Sequence, residues 1–219
     1  MSKCGVIISG GHIEKRFADA FIKMHAPDVI IGADSGLCYL YESKIEPTHI
    51  VGDFDSVSKT VIDYYRNLKR IPIRQFDPVK DATDTEIALR YAIELGVKKL
   101  WILGATGSRV DHMLANIQIL KIALDAEVEA YLVDEWNCIR LIDGDITIRK
   151  SDAFGTYFSL FPLGGSVEEL SVCGAKYPLQ NHTLCPYDSR CVSNQIEEEE
   201  VSITFPKGYV VLIESREER

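Results

Sequence analysis

KKLWILGATGSRVDHMLANI, residues 98–117, reads as a strand, a glycine loop and the start of a helix in one uninterrupted stretch. Residues 98–105 form a short, mostly apolar run that holds Trp101, Ile102 and Leu103 and closes on Gly104-Ala105, as a strand buried on both faces does. After Gly104 and Gly107, the residues Val110, Met113, Leu114, Ile117, Leu120 and Leu124 recur at helical spacing and predict one apolar helix face. A near-continuous apolar strand followed by such a helix is the building unit of a parallel sheet covered by helices.

The same alternation extends outward through the first two-thirds of the chain. Strands are predicted at 4–10, 28–34, 48–54, 71–76, 98–105 and 128–134, with amphipathic helices at about 13–24, 36–43, 58–69, 84–95 and 109–124. From about residue 137 the pattern changes. Short strand-like runs at 137–143, 146–150, 157–163, 167–174, 201–205 and 208–215 are separated by Gly, Pro, Asn and Asp, with a loop at 180–195. These runs predict an antiparallel β-sandwich. Residues 1–136 are therefore read as an α/β domain and residues 137–219 as an all-β domain, with no low-complexity linker between them.

Composition excludes several classes. The 219 residues are 46% hydrophobic and 26% charged, ordinary for a soluble protein with a sizeable core. No apolar stretch approaches the roughly 18–20 residues that cross a bilayer, and the first residues lack a signal peptide's apolar region. A cytoplasmic protein without a membrane partner is expected. A formal net charge of −9 argues against nucleic acid held through its phosphates. A small phosphate ligand would need local Lys and Arg, or a metal ion. Six cysteines form no C-x-x-C pair, and His182, Cys185 and Cys191 match no common zinc spacing, so reduced and mostly buried thiols are expected.

Ligands of an open parallel sheet bind at the carboxyl ends of its strands. Those ends here read Ser9-Gly10-Gly11, Gly32-Ala33-Asp34-Ser35-Gly36, Gly52-Asp53-Phe54-Asp55-Ser56 and Gly104 to Arg109, and Lys80-Asp81-Ala82-Thr83-Asp84 follows the fourth strand. Most of these have local explanations. Asp34 suits a helix N-cap; Thr83 with Glu86 suits a capping box, with Asp84 in the first turn; Ser108 with Asp111 resembles the same device. Asp53 and Asp55 resist such an explanation. At strand period two they point the same way, and two close carboxylates repel unless a positive charge lies between them. Mg²⁺ answers that need, because it takes carboxylate oxygens and bridges substrate phosphates. Lys80 and Arg109 add positive charge, and the Gly104–Gly107 loop before a helix suits a phosphate. Neither a Walker loop nor the dinucleotide fingerprint is present. His112 and Asn116, one turn apart, either face the site or serve packing.

The ordered set ADSG (33–36), GDFDS (52–56), KDATDTE (80–86) and GATGSRVDHMLANI (104–117), followed by GAKYPL (174–179) and VSN (192–194), resembles the thiamine pyrophosphokinase family. The resemblance runs from the first strand to the last. It implies a Rossmann-like nucleotide domain followed by a β-sandwich, and typically a homodimer with thiamine at the interface. It also implies Mg²⁺-dependent transfer of pyrophosphate from ATP to thiamine, releasing AMP. Asp53 and Asp55 match the metal-binding pair, Asp84 a third acid near the metal, and Asp34 the acid of the family's A-D-[GS]-G turn. Asp111, after Arg109, matches the acid of the G-R-x-D-H segment. On the ATP side the resemblance places Asp34, Ser35, Lys80, Asp81, Thr106, Gly107, Arg109, His112 and Asn116, with Arg109 and Lys80 on phosphate. On the thiamine side it places Tyr177, where some relatives carry Trp, together with Ser193 and Asn194. Cys191 and Val192 depart from the family's usual residues there. Asp111 or Asp84 is the implied proton acceptor, and thiamine's positive charge agrees with an acidic protein.

Two other readings compete. VGDFDS also resembles the nucleophile strand of aspartyl-phosphate phosphatases, in which Asp53 would be phosphorylated, although Ser56 and Val57 fit that pattern poorly. The chain could alternatively be a catalytically silent nucleotide or thiamine binder. Loss of motif acids would be expected there, and all of them stand in this sequence.

Overall fold

The computed structural model of the chain describes residues 2–75 and 81–217. It divides into two compact units, Met1–Glu135 and Trp136–Arg219. In the first, strands β1 (Cys4–Ile8), β2 (Val29–Ala33), β3 (His49–Gly52), β4 (Ile73–Gln75), β5 (Lys99–Leu103) and β6 (Glu129–Val133) alternate with helices. The helices are α1 (Lys15–His25), α2 (Gly36–Glu42), α3 (Lys59–Leu68), α4 (Asp84–Glu94) and α5 (Val110–Asp125). The strands pair in parallel in the order β6-β5-β1-β2-β3-β4, with Val6 opposite both Ile30 and Trp101. Their apolar runs are buried because helices cover the sheet; Ile7, Ile31, Ile50 and Ile102 have no exposed surface.

This strand order places the site. The chain moves from β1 outward through β2, β3 and β4, then returns to the other side of β1 for β5 and β6. At that reversal the loops after β1 and β5 lead to different helices and leave a crevice at the carboxyl ends. The two loops are still tied, since Ser9 N–H donates to Leu103 O at 2.8 Å and Gly11 N–H to Gly104 O at 2.9 Å.

The second unit holds β7 (Asn137–Ile142), β8 (Ile146–Arg149), β9 (Tyr157–Pro162), β10 (Val167–Cys173), β11 (Leu179–Leu184), β12 (Asn194–Gln195), β13 (Glu200–Thr204) and β14 (Val210–Ser215). Within it, β12-β9-β14-β7 and β11-β10-β13-β8 are two antiparallel arrays. Phe158, Leu160 and Leu212 from the first meet Leu170, Val201 and Ile203 from the second in one core, the section of a β-sandwich. Among the described residues, no helix is long and apolar enough to cross a membrane.

Two features differ from the sequence reading. The side of α5 that packs inward carries Asn116, Ile119, Leu120 and Ala123, while Val110 and Leu114 of the expected stripe are 58% and 54% exposed. Both sets have helical spacing, and the polar Asn116 hides the buried one from a count of apolar residues. β11 and β12 fall within the stretch that held no strand expectation. Leu179–Leu184 has only its last residue buried, and its register with β10 shifts twice, so it shows no period-two alternation.

The approach of α2 to β1 gives a direct test of this packing. A Cβ on Gly36 would stand 2.1 Å from Ile8 O and 2.7 Å from its carbonyl carbon, both unyielding backbone atoms. Gly36→Ala is expected to destabilise the protein by about 1–3 kcal/mol, read as a lower urea midpoint at unchanged m-value.

Candidate active site

A cleft of about 610 Å³ lies at the carboxyl ends of the parallel strands. The loop after β1 contributes Ser9, Gly10, Gly11 and His12; the loops after β2 and β3 contribute Asp34, Asp53 and Asp55. Asp84 reaches it from α4, Gly107 and Arg109 from the β5–α5 connection, and His112 from the first turn of α5.

Three carboxylates converge there. Asp34, Asp53 and Asp55 each offer an oxygen within 4.8 Å of the others. Asp34 is 8% exposed; one of its carboxylate oxygens accepts from the Ser56 hydroxyl, and the other is buried with no partner among the described residues. It does not cap α2, whose N-cap is Ser35 with no side-chain bond. Its backbone is instead held by N–H donation to Val51 O at 2.9 Å and acceptance from Leu37 N–H at 3.0 Å. Gly52, at φ +149°, lies against it: a Cβ there would stand 3.2 Å from the Asp34 N and Cα.

Asp53 and Asp55 converge by a different route from the expected one. β3 ends at Gly52, so strand alternation does not align them. Phe54 between them takes a left-handed φ of +66° and is buried. Asp55 N–H then donates to the Asp53 carboxylate at 3.1 Å. The chain folds back locally, and both acids meet Asp34.

An all-oxygen donor set of three acids, one of them buried with an unpartnered oxygen, fits a hard divalent cation. The arrangement also shifts emphasis within the expected metal set. Asp34 joins Asp53 and Asp55, whereas Asp84 lines the same cleft outside that cluster. Thr83 caps α4 as read from the sequence, accepting from Glu86 N–H at 3.2 Å. Glu86 pairs with Arg90 instead of completing the box. The buried Thr85 and Ser9 hydroxyls share a 2.5 Å hydrogen bond, tying α4 to the end of β1.

Around α5 the residues divide between binding and support. The Ser108–Asp111 box does not form: Arg109 is the N-cap residue and makes no side-chain cap bond. Asp111 instead receives two bonds from the Arg109 guanidinium, at 3.2 and 2.6 Å. That pairing pushes the Asp111 carboxyl down to about 2, which makes it a poor proton acceptor while paired. His112 is exposed and lines the cleft. Asn116 is buried and donates to Ala105 O at 2.8 Å, so it fixes the glycine loop. Ser35 and Gly107 line the cleft, whereas Thr106 and Asp81 are not among its described lining residues. Thr106 donates its hydroxyl to Asp134 at 2.5 Å. Lys80 lies outside the described residues.

The sequence places Gly10, Gly11 and Ser56 at strand ends without giving them a role, and it does not single out His12. The Gly10-Gly11 pair at the end of a strand was the available signal for the two glycines and His12. A Cβ on Gly11 would meet Gly104 O at 2.4 Å, so the two loops touch at their backbones.

In the second unit, Asn194 is consumed in fixing its neighbour. Its side chain accepts from Tyr177 N–H at 3.0 Å and donates to Tyr177 O at 2.8 Å. Tyr177 itself is 57% exposed, and Ser193 is exposed at a left-handed φ of +57° with its N–H on Ser159 Oγ. The three residues named from the resemblance thus lie together, two presented and one holding. His182, Cys185 and Cys191 form no metal group among the described residues. His182 bonds Asp188 at 2.7 Å, and Cys191 sits in the sandwich core, where burial pushes its thiol up to about 11.

Comparison with known proteins finds relatives along most of the chain. The family model for the thiamin pyrophosphokinase catalytic domain matches residues 23–132, and the model for the thiamin pyrophosphokinase vitamin B1 binding domain matches residues 145–210. The chain belongs to the thiamine pyrophosphokinase family. Thiamine pyrophosphokinase of Bacillus subtilis is 33% identical over 187 residues, which cover 84% of this chain and 86% of that protein. The crystal structure of the Bacillus subtilis enzyme superposes with a TM-score of 0.87 at 28% identity, covering 99% of this chain and 100% of that one. The Geobacillus thermodenitrificans thiamin pyrophosphokinase superposes at 0.83 with 27% identity, covering 98% of each chain. The catalytic-domain match spans Asp34, Asp53, Asp55, Asp84, Arg109 and Asp111, and the vitamin-binding match spans Tyr177, Ser193 and Asn194.

The Arg109–Asp111 pair has a measurable signature. Because the folded carboxyl is depressed from its ordinary value of 3.8, the pairing persists above that value and is lost as pH falls toward 2. An NMR titration is expected to place the Asp111 midpoint at about 2 in this protein and to move it upward in Arg109→Gln, with the His112 N–H still holding it below its ordinary value.

Proposed function

We propose that the protein transfers the pyrophosphoryl group of ATP to the hydroxyl of thiamine, yielding thiamine diphosphate and AMP. The observation that carries this reading is the ordered match of both family models onto a chain whose carboxylate cluster stands at the phosphate-binding edge of its sheet. Residues 1–136 take the ATP side and residues 137–219 contribute the thiamine-side residues. The aspartyl-phosphate and silent-binder readings are not favoured, since both matches are to a pyrophosphokinase and every motif acid is in place.

In the reaction, the hydroxyethyl oxygen of thiamine forms a bond to the β-phosphorus of ATP. The bond from that phosphorus to the α–β bridging oxygen breaks, and AMP leaves with that oxygen. Such a step depends on alignment and on charge neutralisation. Asp34, Asp53 and Asp55 would hold Mg²⁺, which supplies positive charge to the phosphate oxygens when bound. The Gly104–Gly107 loop presents backbone N–H groups at the start of α5. Arg109, 70% exposed and held by Asp111, can turn from that carboxylate to the transferred group. Asp84 lines the cleft and takes the hydroxyl proton; Asp111, already paired and weakly basic, serves to hold Arg109. Lys80 is assigned to phosphate from its motif. Tyr177 and Ser193 present the thiamine side, with Asn194 holding Tyr177 in place. The family resemblance also supports a cytoplasmic homodimer with thiamine bound where two copies meet.

Asp53→Asn is expected to lower kcat by about 10²–10³-fold without lowering the thermal midpoint, with AMP and thiamine diphosphate measured together. Near-normal turnover would sink the assignment of the cluster. Sedimentation equilibrium tests the assembly: a species at the 24.6 kDa of one chain, with full activity, excludes the homodimer.

A further inference from the structure

Ser56 ends the acidic turn after β3, 22 residues from the acid that its hydroxyl bonds. The turn does not need that hydroxyl, because its backbone is closed by Val57 N–H donating to Phe54 O at 3.4 Å. Ser56 is exposed, so water could satisfy it. It nevertheless donates to Oδ2 of Asp34, a buried side chain whose Oδ1 has no partner among the described residues. A carboxylate with one oxygen bonded cannot rotate freely, and the donated proton partly offsets a charge placed beside Asp53 and Asp55.

We propose that Ser56 is a positioning residue for the divalent-cation site. Its hydroxyl fixes the Asp34 carboxylate in the orientation that lets three acids, from the loops after β2 and β3, act on one ion. The proposal rests on the reading of Asp34, Asp53 and Asp55 as a cation site. It assigns Ser56 no contact with substrate. It also gives a reason for the serine at the end of GDFDS, since Ser56 bridges the two loops by a side-chain bond that the local turn does not require.

The test titrates the intact protein with Mn²⁺ alone, reading free Mn²⁺ by electron paramagnetic resonance, for wild type, Asp53→Asn, Ser56→Ala and Ser56→Thr. Ser56→Ala is expected to weaken the site about ten- to a hundredfold, as losing a partner behind a metal ligand typically does, and Ser56→Thr to restore it. In steady-state assays the Mg²⁺ concentration for half-activation should rise in Ser56→Ala while the KM for thiamine stays unchanged. A Ser56→Ala protein that binds Mn²⁺ as tightly as wild type, while Asp53→Asn loses the ion, overturns the role of Ser56 and leaves the cation site standing. Threonine failing to rescue overturns the hydroxyl's part. Wild type without a saturable Mn²⁺ site that Asp53→Asn removes overturns the cation reading itself and this proposal with it.

Discussion

Like charges held within 4.8 Å constrain everything around them, and Asp34, Asp53 and Asp55 are held at that spacing. Two unit charges so placed repel by roughly 3 kcal/mol at an effective dielectric of about 20. A fold of ordinary stability, about 5–15 kcal/mol in total, does not gather three acids without compensation. Part of that compensation is visible in the protein: the Ser56 hydroxyl on Asp34 and the Asp55 N–H on Asp53. Such a cluster favours a cation in the cleft, and through it a phosphate.

The parallel sheet makes the convergence possible. β2 and β3 are neighbours, with Ala33 opposite Val51, so the residues just beyond their ends arrive side by side. Gly52 lets the two loops close to backbone contact, and Asp34 N–H on Val51 O locks them. Gly11 against Gly104 does the same between the loops after β1 and β5. Glycine at these points is needed for close approach, and the acids are brought together by backbones that can touch.

The alternation of strands and helices was legible because each buried strand is a nearly unbroken apolar run, a signal that needs no knowledge of partners. The change near residue 137 was legible in the shorter runs and in the Gly, Pro, Asn and Asp that separate them. What escaped detection depended on partners far along the chain. Asn116 lies on the buried side of α5 because Ala105 O waits for its amide, and no periodicity of apolar residues records that bond. β11 escaped because Leu179–Leu184 is polar and joins a sheet through an irregular pairing. At the site, Asp53 and Asp55 were found through their spacing, although the turn and not the strand aligns them. Asp34 was placed at the site by motif, but its membership of the charge cluster is a fact of folding. Ser56 escaped assignment altogether, because its bond to Asp34 crosses 22 residues.

The residue between the two acids completes the logic of the turn. Phe54 has a left-handed φ, which costs a bulky L-residue about 1–2 kcal/mol, and glycine would adopt it without that penalty. Glycine, however, would leave the turn unanchored. Burying a phenylalanine side chain gains about 1.5–3 kcal/mol, enough to offset the backbone strain, and Phe54 is only 7% exposed. The aromatic ring therefore acts as a peg driven into the protein between two carboxylates that must stay at the surface of the cleft. Phe54→Gly would relieve the strain while releasing the peg, and Phe54→Ala would keep the strain and lose the burial. Both leave Asp53 and Asp55 chemically intact, so the spacing of the acids and not their identity is what the phenylalanine maintains.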